Sequence, residues 1–207
     1  MENFDRKNHW ENIYQTKNLE DVSWYQSIPT TSLEFLEQSG LPKTAEIIDI
    51  GGGDSLLVDH LLDLGYQKIT VLDISETSIK RAKERLGIRS QEVSWIVSDI
   101  TLFNPSKKYD FWHDRAAFHF LTIKQDIDKY LVTVQQGIKP GGTMVIGTFS
   151  EEGPKKCSGI EIKQYSETAM INIFKDLFKE IRCVTINHST PVGTIQNFTF
   201  CSFNRTG

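Results

Sequence analysis

The chain has 207 residues, 39% of them apolar, with three cysteines and a formal net charge of −4. That length and apolar share suit one domain, spanning 1–207, with a layered core. The acid excess and scattered lysines and arginines exclude tight nucleic-acid binding through phosphate neutralisation, leaving small solutes or a basic protein as partners. No apolar run approaches the roughly 20 residues of a membrane helix, and the opening MENFDRKNHWENIYQ is polar rather than signal-like. A cytoplasmic, membrane-free monomer or homodimer is expected, and the odd cysteine count (Cys157, Cys183, Cys201) without CxxC reads as reduced thiols.

The first stretch, 1–30, carries HWENIY at 9–14 and VSWYQ at 22–26, too many aromatics for a plain linker. It reads as a lid over a ligand, with Trp24 or Tyr25 facing inward, whereas the helical spacing of Trp10, Ile13 and Tyr14 favours packing on the sheet for those three. Thr31 and Glu34 stand at capping-box spacing, so a helix is expected from there to about Gly40. AEIIDI (45–50) reads as a buried strand, SLLVDHLLDL as a helix closed by Gly65, and KITVLDI as a second strand. SETSIKRAKERL follows as an amphipathic helix between a Ser75 cap and a Gly87 terminator, then VSWIVSDI as a third strand. KYDFWHDR is a fourth strand, a Thr122/Gln125 box opens a helix through Gln136, and TMVIGTF is a fifth strand after the turn KPGG. Ser166 caps a helix through Lys179, and EIRCVTINHS with TIQNFTFCSF forms a closing hairpin.

Strands alternating with helices of these lengths call for a parallel sheet in a three-layer α/β sandwich, with the final strand antiparallel. In such a sheet ligands bind beyond the carboxyl ends of the strands, where Gly51, Gly52 and Gly53 follow the first one. A dinucleotide fingerprint would want its third glycine at 56, which is Leu56, and no GK[ST] marks a P-loop. What remains is a nucleoside without pyrophosphate. Asp73, 20 residues after Gly53 at the end of the second strand, is placed for both ribose hydroxyls. Asp99, ending the third, is placed for an adenine amine between the apolar walls Ile74 and Ile100.

The run DIGGGDS at 49–55, then Asp73, Asp99, YDFWHDR at 109–115 and KPGG at 139–142, resembles the seven-stranded class I methyltransferases that use S-adenosylmethionine. The resemblance covers nearly the whole chain, hairpin included, with Ser55 standing where the family often has a third glycine. It implies a mostly parallel seven-stranded sheet, methyl transfer to a nucleophile on a small molecule, and S-adenosylmethionine as cofactor. By it, Asp49, Gly51, Gly52 and Gly53 border the methionine part, Asp73 the ribose, and Asp99 with Ile100 the adenine. Trp24 or Tyr25, in the expected lid, is placed to face the sulfonium.

For the chemistry, His113 or Asp114 is placed to take a proton from the acceptor or orient it, and Arg115 to hold an anionic group on it. His119 is either a substrate contact or a satisfied buried histidine, and a metal site on His113, Asp114 and His119 lacks the usual ligand spacing. Cys157, after Lys155 and Lys156 in a long loop, is either a thiol of depressed pKa meeting substrate or an inert one, and His188 is assigned to the same rim. Two other readings stand beside the small-molecule enzyme. WENIY at 10–14 is similar to a stretch in some protein lysine methyltransferases of this fold, and the strand-end acids would equally serve a protein that binds the cofactor without turnover.

Overall fold

The computed structural model describes residues 4–207; residues 1–3, the start of the expected single domain and lid, lie outside them. Helix α1, Arg6–Thr16, opens the described chain, its first amides capped by the Asp5 side chain. Helix α2, Thr30–Gln38, starts directly after Pro29 with no side-chain cap. Proline lacks the amide a cap would satisfy and presets the first turn, so Thr31 falls inside the helix and the expected box with Glu34 does not form. Strand β1, Glu46–Ile50, leads through the glycines to α3, Leu57–Asp63; β2, Lys68–Asp73, leads to α4, Glu76–Leu86. The Ser75 side chain accepts from Ser78 N and Gly87 ends α4 at φ 58°, both as expected.

Strands β3, Val93–Val97, and β4, Tyr109–Arg115, precede α5, Lys124–Gly137, which begins at Ile123 without the expected Thr122 cap. Strand β5, Ile138–Phe149, absorbs the KPGG turn, with a register shift against β4 between Tyr109 and Phe111. After the two short strands β6, Lys156–Cys157, and β7, Ile160–Glu161, helix α6, Glu167–Phe174, is capped by Ser166 but stops before Lys179. Its expected last residues belong instead to β8, Phe178–Ser189, which pairs with β9, Ile195–Arg205.

The main sheet runs β3-β2-β1-β4-β5-β9-β8. Its first five strands are parallel and β9 lies antiparallel to β5 and β8, so the three-layer, seven-stranded architecture is the one expected. Strand order reverses between β1 and β4, and a crevice opens there. Period-2 alternation divides the core. Ile47, Phe111 and Val145 face α2 and α3; Ile48, Trp112 and Ile146 face α5 and α6.

Cys183 and Cys201 stand opposite each other in the hairpin, 4.1 Å apart at Cα, and are joined by a disulfide; Cys157 is free and buried. Three reduced thiols are thus not what the fold holds, because cross-strand register brings together cysteines that chain spacing leaves unrelated. Among the described residues no helix is long and apolar enough to cross a membrane.

Candidate functional site

A roofed concavity lies beyond the carboxyl ends of β1, β2, β3 and β4. Its floor is the glycine turn. Gly51 (φ 66°) and Gly53 (φ 36°) take left-handed conformations that L side chains resist, and a Cβ on Gly51 would come within 2.8 Å of Ala117 Cβ. A Cβ on Gly52 would overlap Asp49 Oδ2, and one on Gly53 would sit 2.6 Å from Asp73 Oδ2. Gly51 and Gly52 line the cavity, whereas Gly53 shapes it by letting the Asp73 carboxylate close against the chain.

Asp73 is buried, with Oδ1 accepting from Ser75 N at 2.8 Å. Burial pushes its carboxyl up to about 7 and the charges of Asp49 and Glu11 add to that, while bonds from Ser75 and Ser78 pull the other way. Such a group gains from a ligand that donates hydrogen bonds to it. Asp99 spends Oδ1 on Thr101 N and Oγ1, both at 2.8 Å, and turns Oδ2 toward Arg6 NH1 at 3.4 Å. Ile74 and Ile100 flank it on the cavity wall.

The roof is the N-terminal segment. Arg6, Trp10 and Tyr14 of α1 line the cavity, followed by Trp24, Tyr25, Gln26 and Pro29. Trp10 and Tyr14 were expected only to pack on the sheet; instead Trp10 stands edge-on to Trp24 at 5.8 Å and to Phe120 at 5.0 Å, while Ile13 stays off the cavity wall. Glu11 fastens this roof to α4, its carboxylate accepting from Ser75 Oγ at 3.0 Å, Glu76 N at 2.6 Å and Thr77 N at 3.1 Å. A second fastening is His188, whose ring meets Ser23 O at 2.8 Å and Gln26 Nε2 at 3.4 Å. His188 does not line the cavity and is a clamp on the segment that does.

At the far end of the cavity His113, Arg115, Ser32 and Cys157 come together. His113 is buried between Asp49 Oδ1, 2.6 Å from Nδ1, and Ser32 Oγ, 2.8 Å from Nε2. Arg115 donates through one terminal nitrogen to Trp24 O at 2.9 Å and lies 5.1 Å from the Phe198 ring centre. Its other terminal nitrogen is buried with no partner among the described residues. Burial lowers its pKa to about 10, and an unspent donor pair there favours an anionic ligand group.

Other expected residues stand elsewhere. Asp114 points to the opposite face of the sheet, fully buried, where it accepts from Ala117 N, Phe118 N and Tyr130 Oη and caps the turn Phe118–Phe120. Burial raises its carboxyl to about 6, but it does not reach the cavity. His119 is also behind the wall; Nδ1 accepts from Phe149 N at 3.3 Å, and burial, with the Arg115 charge, drops its pKa to about 3, leaving a neutral ring. Cys157 does line the cavity, yet burial pushes its thiol up to about 11, outweighing a hydrogen bond with Ser158 and the Arg115 charge, so the thiol is raised rather than depressed. Among the described residues no three His, Cys, Asp or Glu side chains are grouped to hold a metal ion. Sequence reasoning missed Arg6, Glu11 and Ser32; nothing in a lone helical serine signals its partner across the fold.

These features fit an adenosyl sulfonium on their own terms: bare backbone at a strand end, a desolvated carboxylate wanting donors, and apolar walls beside Asp99. A methyltransferase domain family model matches residues 48–144. The eEF1A lysine and N-terminal methyltransferase of Mus musculus is 29% identical over 171 residues, 72% of this chain and 24% of that protein. Malonyl-[acyl-carrier protein] O-methyltransferase 2 of Ilyobacter polytropus is 30% identical over 119 residues, 57% of this chain and 44% of that protein. The chain thus spans a quarter to under half of the length of these relatives. Among solved structures, N-methyltransferase NodS of Bradyrhizobium japonicum with S-adenosyl-L-homocysteine superposes at TM-score 0.74 and 17% identity, over 98% of this chain and 100% of that one. A glycopeptide N-methyltransferase, MtfA, complexed with sinefungin follows at 0.67 and 13%, over 90% and 96%. At such identities the likeness speaks to the fold.

Proposed function

We propose that this chain is a class I methyltransferase, that it binds S-adenosylmethionine and that it methylates a small molecule. The observation that carries the proposal is the run of strand-end carboxylates, Asp49, Asp73 and Asp99, around a glycine turn in one roofed cavity. When bound, the cofactor supplies a methyl group on a positively charged sulfur that is already a good leaving group. The chain's own task is then alignment, water exclusion and acceptance of a proton.

In this reading Asp73 accepts from the ribose hydroxyls, and Asp99 with Ile74 and Ile100 holds the base. Gly51 and Gly52 let the methionine part lie against the main chain, with Asp49 beside it. Trp24 offers a ring face to the sulfonium, worth ~0.5–2 kcal/mol. Arg115, with its unpartnered buried nitrogen, takes an anionic group on the acceptor. The aromatic roof over this end supports a small acceptor rather than a protein side chain in an open trough.

A second reading, transfer to a protein lysine, is supported by the mouse relative and by WENIY at 10–14. Binding without turnover is the third. Calorimetry with S-adenosylmethionine, S-adenosylhomocysteine and NAD tests the cofactor, and binding of NAD alone would overturn the proposal. A labelled-methyl assay against a metabolite extract and a protein lysate separates the rest: label in small molecules is expected, label confined to protein selects the second reading, and none at all the third. Arg115→Met should raise the KM for the labelled acceptor at least tenfold, a larger effect than the loss of cofactor affinity from releasing Trp24. The cytoplasmic expectation drew on the polar opening of the chain, and the pairing of Cys183 with Cys201 removes the three reduced thiols that agreed with it.

A further inference from the structure

We infer that Ser32 is the group that takes the acceptor's proton, with His113 and Asp49 as a relay behind it, so that the acceptor is an N–H or O–H nucleophile rather than a carboxylate. The inference rests on the methyltransferase reading of the same cavity.

Three side chains form an unbranched line: Asp49 Oδ1 is 2.6 Å from His113 Nδ1, and His113 Nε2 is 2.8 Å from Ser32 Oγ. Each is buried in the fold, yet each lines the cavity. The line exists because Asp49 and His113 are paired in register on β1 and β4, both facing α2, whose first turn carries Ser32. An ionised carboxylate can only accept, so Nδ1 carries the imidazole proton and Nε2 is a bare acceptor. The serine hydroxyl then gives its one proton to Nε2. Ser32 Oγ makes no other hydrogen bond among the described residues, so lone pairs are what it turns to the cavity. A carboxylate acceptor would set its own lone pairs against them, whereas an amine or hydroxyl arrives as a donor.

The proton steps balance without a further reactant. The acceptor's X–H bond breaks and its proton passes to Ser32 Oγ as the serine proton passes to His113 Nε2. The imidazolium so formed is held by the Asp49 carboxylate. The electron pair left on X forms the new bond to the methyl carbon, and the pair of the broken C–S bond stays on sulfur. Ser32 is thus the catalytic residue, and His113 and Asp49 position and receive. Asp49 gains a second duty beside the cofactor: Oδ1 is committed to His113, while Oδ2 lies against Gly52.

Nitrogen-15 NMR of histidine-labelled protein, saturated with S-adenosylhomocysteine, reads this relay without turnover. The expected result is a protonated Nδ1 and a bare, hydrogen-bonded Nε2 for His113. Ser32→Ala should shift the Nε2 resonance, and Asp49→Asn should move the proton to Nε2, as loss of the accepting carboxylate reverses the tautomer. A native Nε2–H tautomer, or a ring indifferent to Ser32→Ala, would overturn the relay. Calorimetry on the same samples keeps the two readings apart. Homocysteine-product binding with the wrong tautomer sinks the relay alone, and no binding at all sinks the methyltransferase reading with it.

Discussion

Asp73→Asn is expected to move stability and cofactor affinity in opposite directions. Burial lifts this carboxyl from an ordinary 3.8 to about 7, with Asp49 and Glu11 adding repulsion. A displacement of that size corresponds to ~4 kcal/mol of disfavoured ionisation, an upper limit for what the amide can recover because it keeps only part of the hydrogen bonding with Ser75 and Ser78. The sign follows from proton counts. Between about pH 4 and 7 the unfolded chain has released this proton and the native chain has not, so native stability falls as pH rises through that window and levels off above about 7. Asparagine carries no such penalty. Ligand-free Asp73→Asn should therefore be more stable at pH 8 by ~1–4 kcal/mol, which for a domain of this size is about 2–4 °C in Tm per kcal/mol. The gain should vanish near pH 4. S-adenosylmethionine affinity should fall more than about tenfold, ~1.4 kcal/mol, because an amide offers one acceptor and a donor where two hydroxyls need acceptors. Urea unfolding at pH 4, 5.5, 7 and 8, with calorimetry at pH 8, measures both. A stability difference that does not change with pH, or an unchanged affinity, would refute the reasoning.

Gly52→Ala should displace the Asp49 carboxylate, costing ~1–3 kcal/mol of stability in denaturant unfolding and most of the cofactor affinity; normal S-adenosylhomocysteine binding would contradict the tight floor. His188→Ala should free the segment at 23–26, with amide exchange there faster by about 5- to 160-fold, the range set by ~1–3 kcal/mol for orphaned part-buried partners, while exchange in β1 stays unchanged. Thiol titration should find none of the three cysteines reactive in the native, unreduced protein, one after unfolding and three after reduction. Two or more thiols in the unfolded, unreduced protein would disprove the Cys183–Cys201 bridge.

The sheet was legible because the parallel strands are short runs rich in apolar residues, and each crossover helix carries its own period. Asp73 and Asp99 could be found because strand ends are where such sheets open. The same logic holds for β4: alternation sends His113 and Arg115 to one face and Asp114 to the other, so the period alone places Asp114 away from the site. Other features were beyond reach. Whether Trp10 and Tyr14 pack on the sheet or roof a cavity depends on where α1 docks, which no local pattern encodes. The disulfide depends on hairpin register, and the burial that raises the Cys157 pKa depends on contacts remote in sequence.

Glu11 does more than seat a helix. It and Asp73 share Ser75, the first holding its hydroxyl and the second its amide, so two acids are drawn into one neighbourhood whenever α1 is docked. Docking therefore makes the Asp73 anion less welcome, and a sugar that donates two protons to it relieves the crowding. By thermodynamic reciprocity, that sugar must also hold α1 down. A deoxy analogue would leave the crowding in place and the helix looser, so selectivity for the ribose and closure over it are one equilibrium seen from two sides.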